Sequence, residues 1–171
     1  MALSKKRNFI EVDWQNPFKV NLIEKKLGEF YEKPGIYIIR IDRHIPRMGG
    51  TDKKGILYIG SSRKIGNRID SFWNAAHQAS GVLWVHPRLA KLVFKKEIKD
   101  KSKVERLIEE LEIKLAVPIR RQELKLAEKA ALFAYMFQFG ELPPLNFTIP
   151  GGRWEEPQNK ELAWGKQGIL Y

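Results

Sequence analysis

The chain has 171 residues, with 31 lysines and arginines against 20 aspartates and glutamates, a formal charge of +11, and no cysteine. That length fits one domain with extensions and a core of its own, and the missing thiols exclude a cysteine nucleophile, a thiolate zinc site and a disulfide framework. The basic excess favours a polyanionic partner, though a merely soluble basic protein carries the same sign.

Near the start, Lys5, Lys6 and Arg7 are followed by no apolar run of signal-peptide length, and no later stretch approaches a membrane span. The expectation is a cytoplasmic protein that does not enter membranes. Asn16-Pro17 is a plausible helix start, and Val20, Ile23, Leu27, Phe30 and Tyr31 recur at helical spacing, so residues 1–33 read as a helical extension ahead of the main domain.

Pro34-Gly35 breaks that pattern and launches a strand. Alternation sends Tyr37, Ile39 and Ile41 to one side and Ile36, Ile38 and Arg40 to the other. Twenty residues separate Tyr37 from Tyr58, and Gly49, Gly50 and Asp52 within them predict an irregular loop. Arg47 and Lys54 in that loop, beside Arg43 and Lys53, are suited either to phosphate contact or to plain solvation, while His44 reads as a surface histidine. A second strand ends in Tyr58-Ile59-Gly60, with Ile56 and Tyr58 expected on one face. Antiparallel pairing would set the phenols of Tyr37 and Tyr58 side by side, next to a Gly60 that leaves room for a ligand or another element.

Ser62 is a suitable N-cap for a helix over residues 63–76, whose apolar stripe is Ile65, Ile69, Phe72, Trp73 and Ala76. Arg68 borders that stripe, and a guanidinium there is costly to place unless an anion meets it. Arg63 and Lys64 open the helix near the same groove; His77 closes it, where it can act in a site or simply meet the last helical carbonyls. Residues 83–103 suggest an irregular helix with lysines outward, and a short helix follows near Glu109 and Glu110. The period then changes to two: Leu111, Ile113, Leu115 and Val117 predict a third strand. A long helix should run from Arg121 to Phe139 and stop at Gly140. Along it Glu128 shares a face with Leu124, Ala131, Leu132 and Tyr135, so it is either a ligand or one half of a salt bridge. Residues 148–171 hold Trp154, Trp164 and Tyr171 and read as a tail that docks on the body, with base stacking as the other use of such tryptophans.

The tripeptides Gly35-Ile36-Tyr37 and Tyr58-Ile59-Gly60, with Arg68, Glu128 and Asn146 in order behind them, resemble the GIY-YIG nucleases over residues 34–147. The resemblance implies an α/β (α+β) domain with a small three-stranded antiparallel sheet flanked by helices. It also implies an endonuclease that hydrolyses DNA phosphodiester bonds with one divalent metal, magnesium or manganese, on Glu128. Arg68 then contacts the scissile phosphate, Tyr37 draws the proton from the attacking water, Tyr58 orients water or phosphate, and Asn146 stands at the family's active-site asparagine. His77 is the candidate for the histidine some members carry downstream of the arginine. Glu141, Glu109 and Glu110 are weaker rivals for the metal. Lacking a separate recognition domain over this span, such an enzyme would act as a homodimer or with a partner protein. An RNA nuclease and a non-catalytic nucleic-acid-binding module on the same scaffold are the alternatives.

Overall fold

The computed structural model describes residues 14–19, 28, 30–69, 109–117 and 119–149. It is a mixed α/β arrangement built on an antiparallel sheet. In chain order the strands are β1 (Phe18–Lys19), β2 (Gly35–Ile41), β3 (Ile45–Arg47), β4 (Gly50–Asp52), β5 (Ile56–Ser62) and β6 (Leu111–Ala116), followed by the helix α1 (Leu124–Phe139). The main sheet has the order β1-β6-β2-β5, and β3 and β4 form a separate two-stranded hairpin.

The apolar alternation of β2 decides the layering. Tyr37, Ile39 and Ile41 face a core that also takes Leu111, Ile113 and Leu115 of β6 and Ile65 and Ile69 of the helical residues 65–69. Ile36 and Ile38 face the opposite way, under α1. Four alanines on that helix, Ala127, Ala130, Ala131 and Ala134, are buried against the sheet side, which lets helix and sheet approach closely. Gly140 ends α1 with φ 73° and donates its N–H to Met136 O at 2.8 Å. Among the described residues no helix is long and apolar enough to cross a membrane.

Four expectations are corrected. Phe18 and Lys19, placed in a helix by their neighbours' spacing, instead form a strand paired with Ile113 and Glu112, so the sheet has four strands and the extension contributes one of them. The helical pattern rested on Val20, Ile23 and Leu27, which lie outside the described residues. The loop between the tyrosines is a hairpin, with Ile45 opposite Asp52 and Arg47 opposite Gly50. Ile56 and Tyr58 do not share a face: Ile39 pairs with Tyr58 but Arg40 pairs with Ile56, so Leu57 is an extra residue and the strand is bulged there. The bulge turns Ile56 to the α1 side while Leu57 and Tyr58 both pack on the other core.

Candidate active site

Tyr37 lies opposite Gly60 in the ladder and Tyr58 opposite Ile39, which makes the tyrosines diagonal neighbours on one face. Their ring centroids are 5.8 Å apart and the rings are tilted by 37°. The space over Gly60 is filled by these rings, not left for a ligand: a Cβ there would stand 2.6 Å from Tyr58 and 2.8 Å from the end of the Tyr37 ring and its hydroxyl. A side chain at this position would have to displace the two aromatic rings that cross its α-carbon.

Arg68 comes to this pair from the helical turn at 65–69. That turn starts where it does because its first N–H groups are met by chain ahead of β2: Ile65 N–H donates to Lys33 O at 3.0 Å and Gly66 N–H to Tyr31 O at 2.9 Å. Ser62, expected as the N-cap, lies two residues ahead of that position, where its hydroxyl oxygen accepts from Lys64 N–H at 3.1 Å. One turn on, Arg68 is exposed, and its Nε–H donates to the Tyr37 hydroxyl at 3.1 Å. Burial, reinforced by the neighbouring Tyr58, pushes the Tyr37 phenol well above the usual range for tyrosine, and Arg68 pulls in the opposite direction without cancelling it. The phenol in turn strengthens the hold of the guanidinium on its proton.

Glu128 is 5 % exposed, on the sheet side of α1. Ser61 Oγ donates to its Oε2 at 2.5 Å, and Lys125 Nζ meets the same oxygen at 3.3 Å. The carboxylate is thus half of a salt bridge, as one of the two sequence readings had it. Ser61 pairs with Ile36 and so belongs to the α1 face, whereas Gly60, the residue before it, lies beneath the phenols. Phenols and guanidinium therefore reach β5 from one face, and the carboxylate reaches it from the other, one residue further along. Ser61 had no distinguishing sequence signal; only its place next to Gly60 hinted at it.

For a metal, the described residues contain no group of three or more histidine or acidic side chains. One carboxylate with an adjacent hydroxyl is a hard oxygen donor set that fits magnesium or manganese completed by water and substrate phosphate. Lys125 is the competing cation at that oxygen. Asn146 engages the backbone of β5: its Nδ2 donates to Ile59 O at 2.8 Å and its Oδ1 accepts from Ile59 N–H at 2.9 Å. The side chain behaves as a one-residue strand closing the sheet edge.

The basic candidates divide. Arg47 is withdrawn from phosphate contact, because its side chain is only 7 % exposed, pairs with Glu141 at 3.1 Å and donates to Leu142 O. It bolts the β3–β4 hairpin to the end of α1, aided by Gly49 N–H on Phe139 O at 2.9 Å. Lys64 is exposed and paired with Glu32 at 2.6 Å, and Arg63 and Lys54 are exposed. Glu141 and Glu110, the rivals for a metal, are engaged by Arg47 and Arg43. His77, the helix over 83–103 and the tryptophans of the tail lie outside the described residues.

Sequence reasoning passed over Asp52, taking it for a loop residue. It is fully buried, and its carboxylate accepts from the N–H groups of Lys54, Gly55 and Ile56 and from the Tyr135 hydroxyl at 3.0 Å. Burial, then the adjoining Asp52 charge, raises the Tyr135 phenol far above its ordinary value. No family model, curated protein or solved structure matches the chain.

Proposed function

We propose that the chain is an endonuclease that hydrolyses phosphodiester bonds of nucleic acid, DNA foremost, in the manner of the GIY-YIG nucleases. The observation that carries this reading is the group made by Tyr37, Tyr58 and Arg68: two phenols crossed over a glycine, one of them holding an exposed guanidinium by hydrogen bond. Phosphodiester hydrolysis needs an aligned water, relief of charge on the five-coordinate phosphate, and a place for the water's proton.

In this reading Arg68 lies against the non-bridging oxygens of the phosphate and Tyr58 orients the water. Tyr37, once its own proton has left to solvent, receives the water's proton as the phenolate. Its raised pKa makes that the demanding part, since the resting phenol is neutral at pH 7. The Arg68 N–H on the phenol oxygen favours the phenolate and works against the burial. Ser61 keeps the Glu128 carboxylate turned toward β5, where it would hold magnesium or manganese once Lys125 gives way. When bound, that ion supplies charge neutralisation at the departing oxygen. Asn146 is a positioning residue, holding Ile59 and hence Gly60 beneath the rings.

The rival, a binding module without catalysis, draws support from the Lys125–Glu128 pair, which neutralises the carboxylate without a metal. Nicking of supercoiled plasmid, with and without magnesium and beside labelled duplex, branched and single-stranded DNA and structured RNA, separates the two. R68A is expected to lower turnover about 10²-fold with a far smaller change in affinity, and E128Q to abolish magnesium-dependent nicking while retaining binding. Wild-type protein that binds but never nicks establishes the rival; nicking undiminished in E128Q removes the carboxylate from the mechanism.

A further inference from the structure

We infer that the scissile phosphodiester docks against the open edge of β5 at Ser61, with the Ser61 backbone N–H as one of its donors. The inference rests on the nuclease reading and names where its substrate sits.

Among the described residues β5 is the last strand of the sheet. In an antiparallel ladder every second residue turns both backbone groups away from its partner strand. Asn146 identifies which residues do so here, because it pairs with both the N–H and the carbonyl of Ile59 from outside. Two residues on, Ser61 has the same orientation. Among the described residues the segment that covers the edge bonds no further along it: Leu145 N–H takes Leu57 O at 2.9 Å and Asn146 takes Ile59. Among the described residues nothing pairs with the Ser61 N–H or carbonyl.

A sheet separates the groups on its two faces, and only a ligand lying past its edge strand can be reached from both. At Ser61 that condition is met. The preceding Gly60 carries the crossed phenols with Arg68 on one side, and the Ser61 hydroxyl holds Glu128 on the other. The Ser61 N–H in the sheet plane and the exposed Arg68 guanidinium on the phenol side are hydrogen-bond donors, which suits a phosphate anion. A peptide strand is a poor occupant, since a single open residue offers one register position and augmentation needs several.

The test is an amide-resolved proton–nitrogen NMR titration of the whole chain with a DNA oligonucleotide in chelator, beside a cleavage assay in magnesium. The Ser61 amide should shift saturably, several times further than that of Ile59, which Asn146 shields. In S61A the amide at position 61 should shift equally, and R68A should weaken the apparent affinity about tenfold. Cleavage with a stationary Ser61 amide overturns the docking site and leaves the nuclease reading intact. A saturable shift without cleavage keeps the docking site and overturns the nuclease. A shift lost in S61A transfers the contact to the hydroxyl and refutes the N–H assignment, and absence of both shift and cleavage refutes both.

Discussion

Tyr37 shows how one residue can be set against its own chemistry. Burial holds its proton on, so the folded protein binds that proton more tightly than the unfolded chain, where the pKa is about 10. The sign follows: this contribution to stability is fully present below about pH 10 and is lost as pH rises beyond it, and Tyr135 behaves alike. Thermal melts from about pH 8 to pH 11 should therefore fall on the alkaline side, and fall less in Y37F; an unchanged alkaline slope in Y37F would contradict the burial argument. The same shift predicts that, if Tyr37 is the base, log kcat climbs with slope near one between about pH 7 and 9. A flat profile there would assign proton removal to another group. At Gly60 the added methyl of G60A would meet the outer ends of two tyrosine rings, side-chain atoms and not backbone, and push them aside. Tm should consequently move little while cleavage collapses, and a large loss of Tm with intact cleavage would reverse the assignment.

Among the elements, β5 carries most of the specification. Its bulge at Leu57 is preceded by a turn-derived anchor, since Asp52 gathers three backbone N–H groups at the strand's entry and ties them to Tyr135 of α1. D52A would strand those donors in a dry interior, and we expect a loss on the order of 3–5 kcal/mol by denaturant titration. N146A uncovers only the two Ile59 groups at a half-buried edge and should cost about 1–3 kcal/mol. If Asn146 works by positioning, N146A should lower kcat while the magnesium dependence keeps its midpoint. Both residues stood in plain view in the sequence, yet neither role was legible. A buried carboxylate serving backbone N–H groups and a carboxamide imitating a strand involve partners that periodicity does not register.

For the molecule as a whole, the charge of +11 is a field, and the fold decides which cations contribute to a surface. Arg47 is removed from it by Glu141 and Leu142, while Arg63, Lys64 and Lys54 stay exposed. Measured as log affinity against log salt, DNA binding should lose about one unit of slope with R63A or K64A. R47A should leave the slope unchanged and lower Tm, because it unpins the hairpin from α1. A reduced slope in R47A would return it to the interface.

Local periodicity and breaker chemistry were enough to find β2, β5 as far as Gly60, β6 and the long helix with its stop at Gly140, because each depends on near neighbours in the chain. That Tyr37 and Tyr58 come together on one face also followed from alternation once the two strands are taken as antiparallel neighbours. Tertiary structure alone decided that residues 18–19 complete the sheet, that Leu57 bulges, that Arg47 is interior, and that Ser61 joins the phenol face to the carboxylate face. Those outcomes depend on contacts between residues far apart in sequence, and their free energy exists only once the layers have packed.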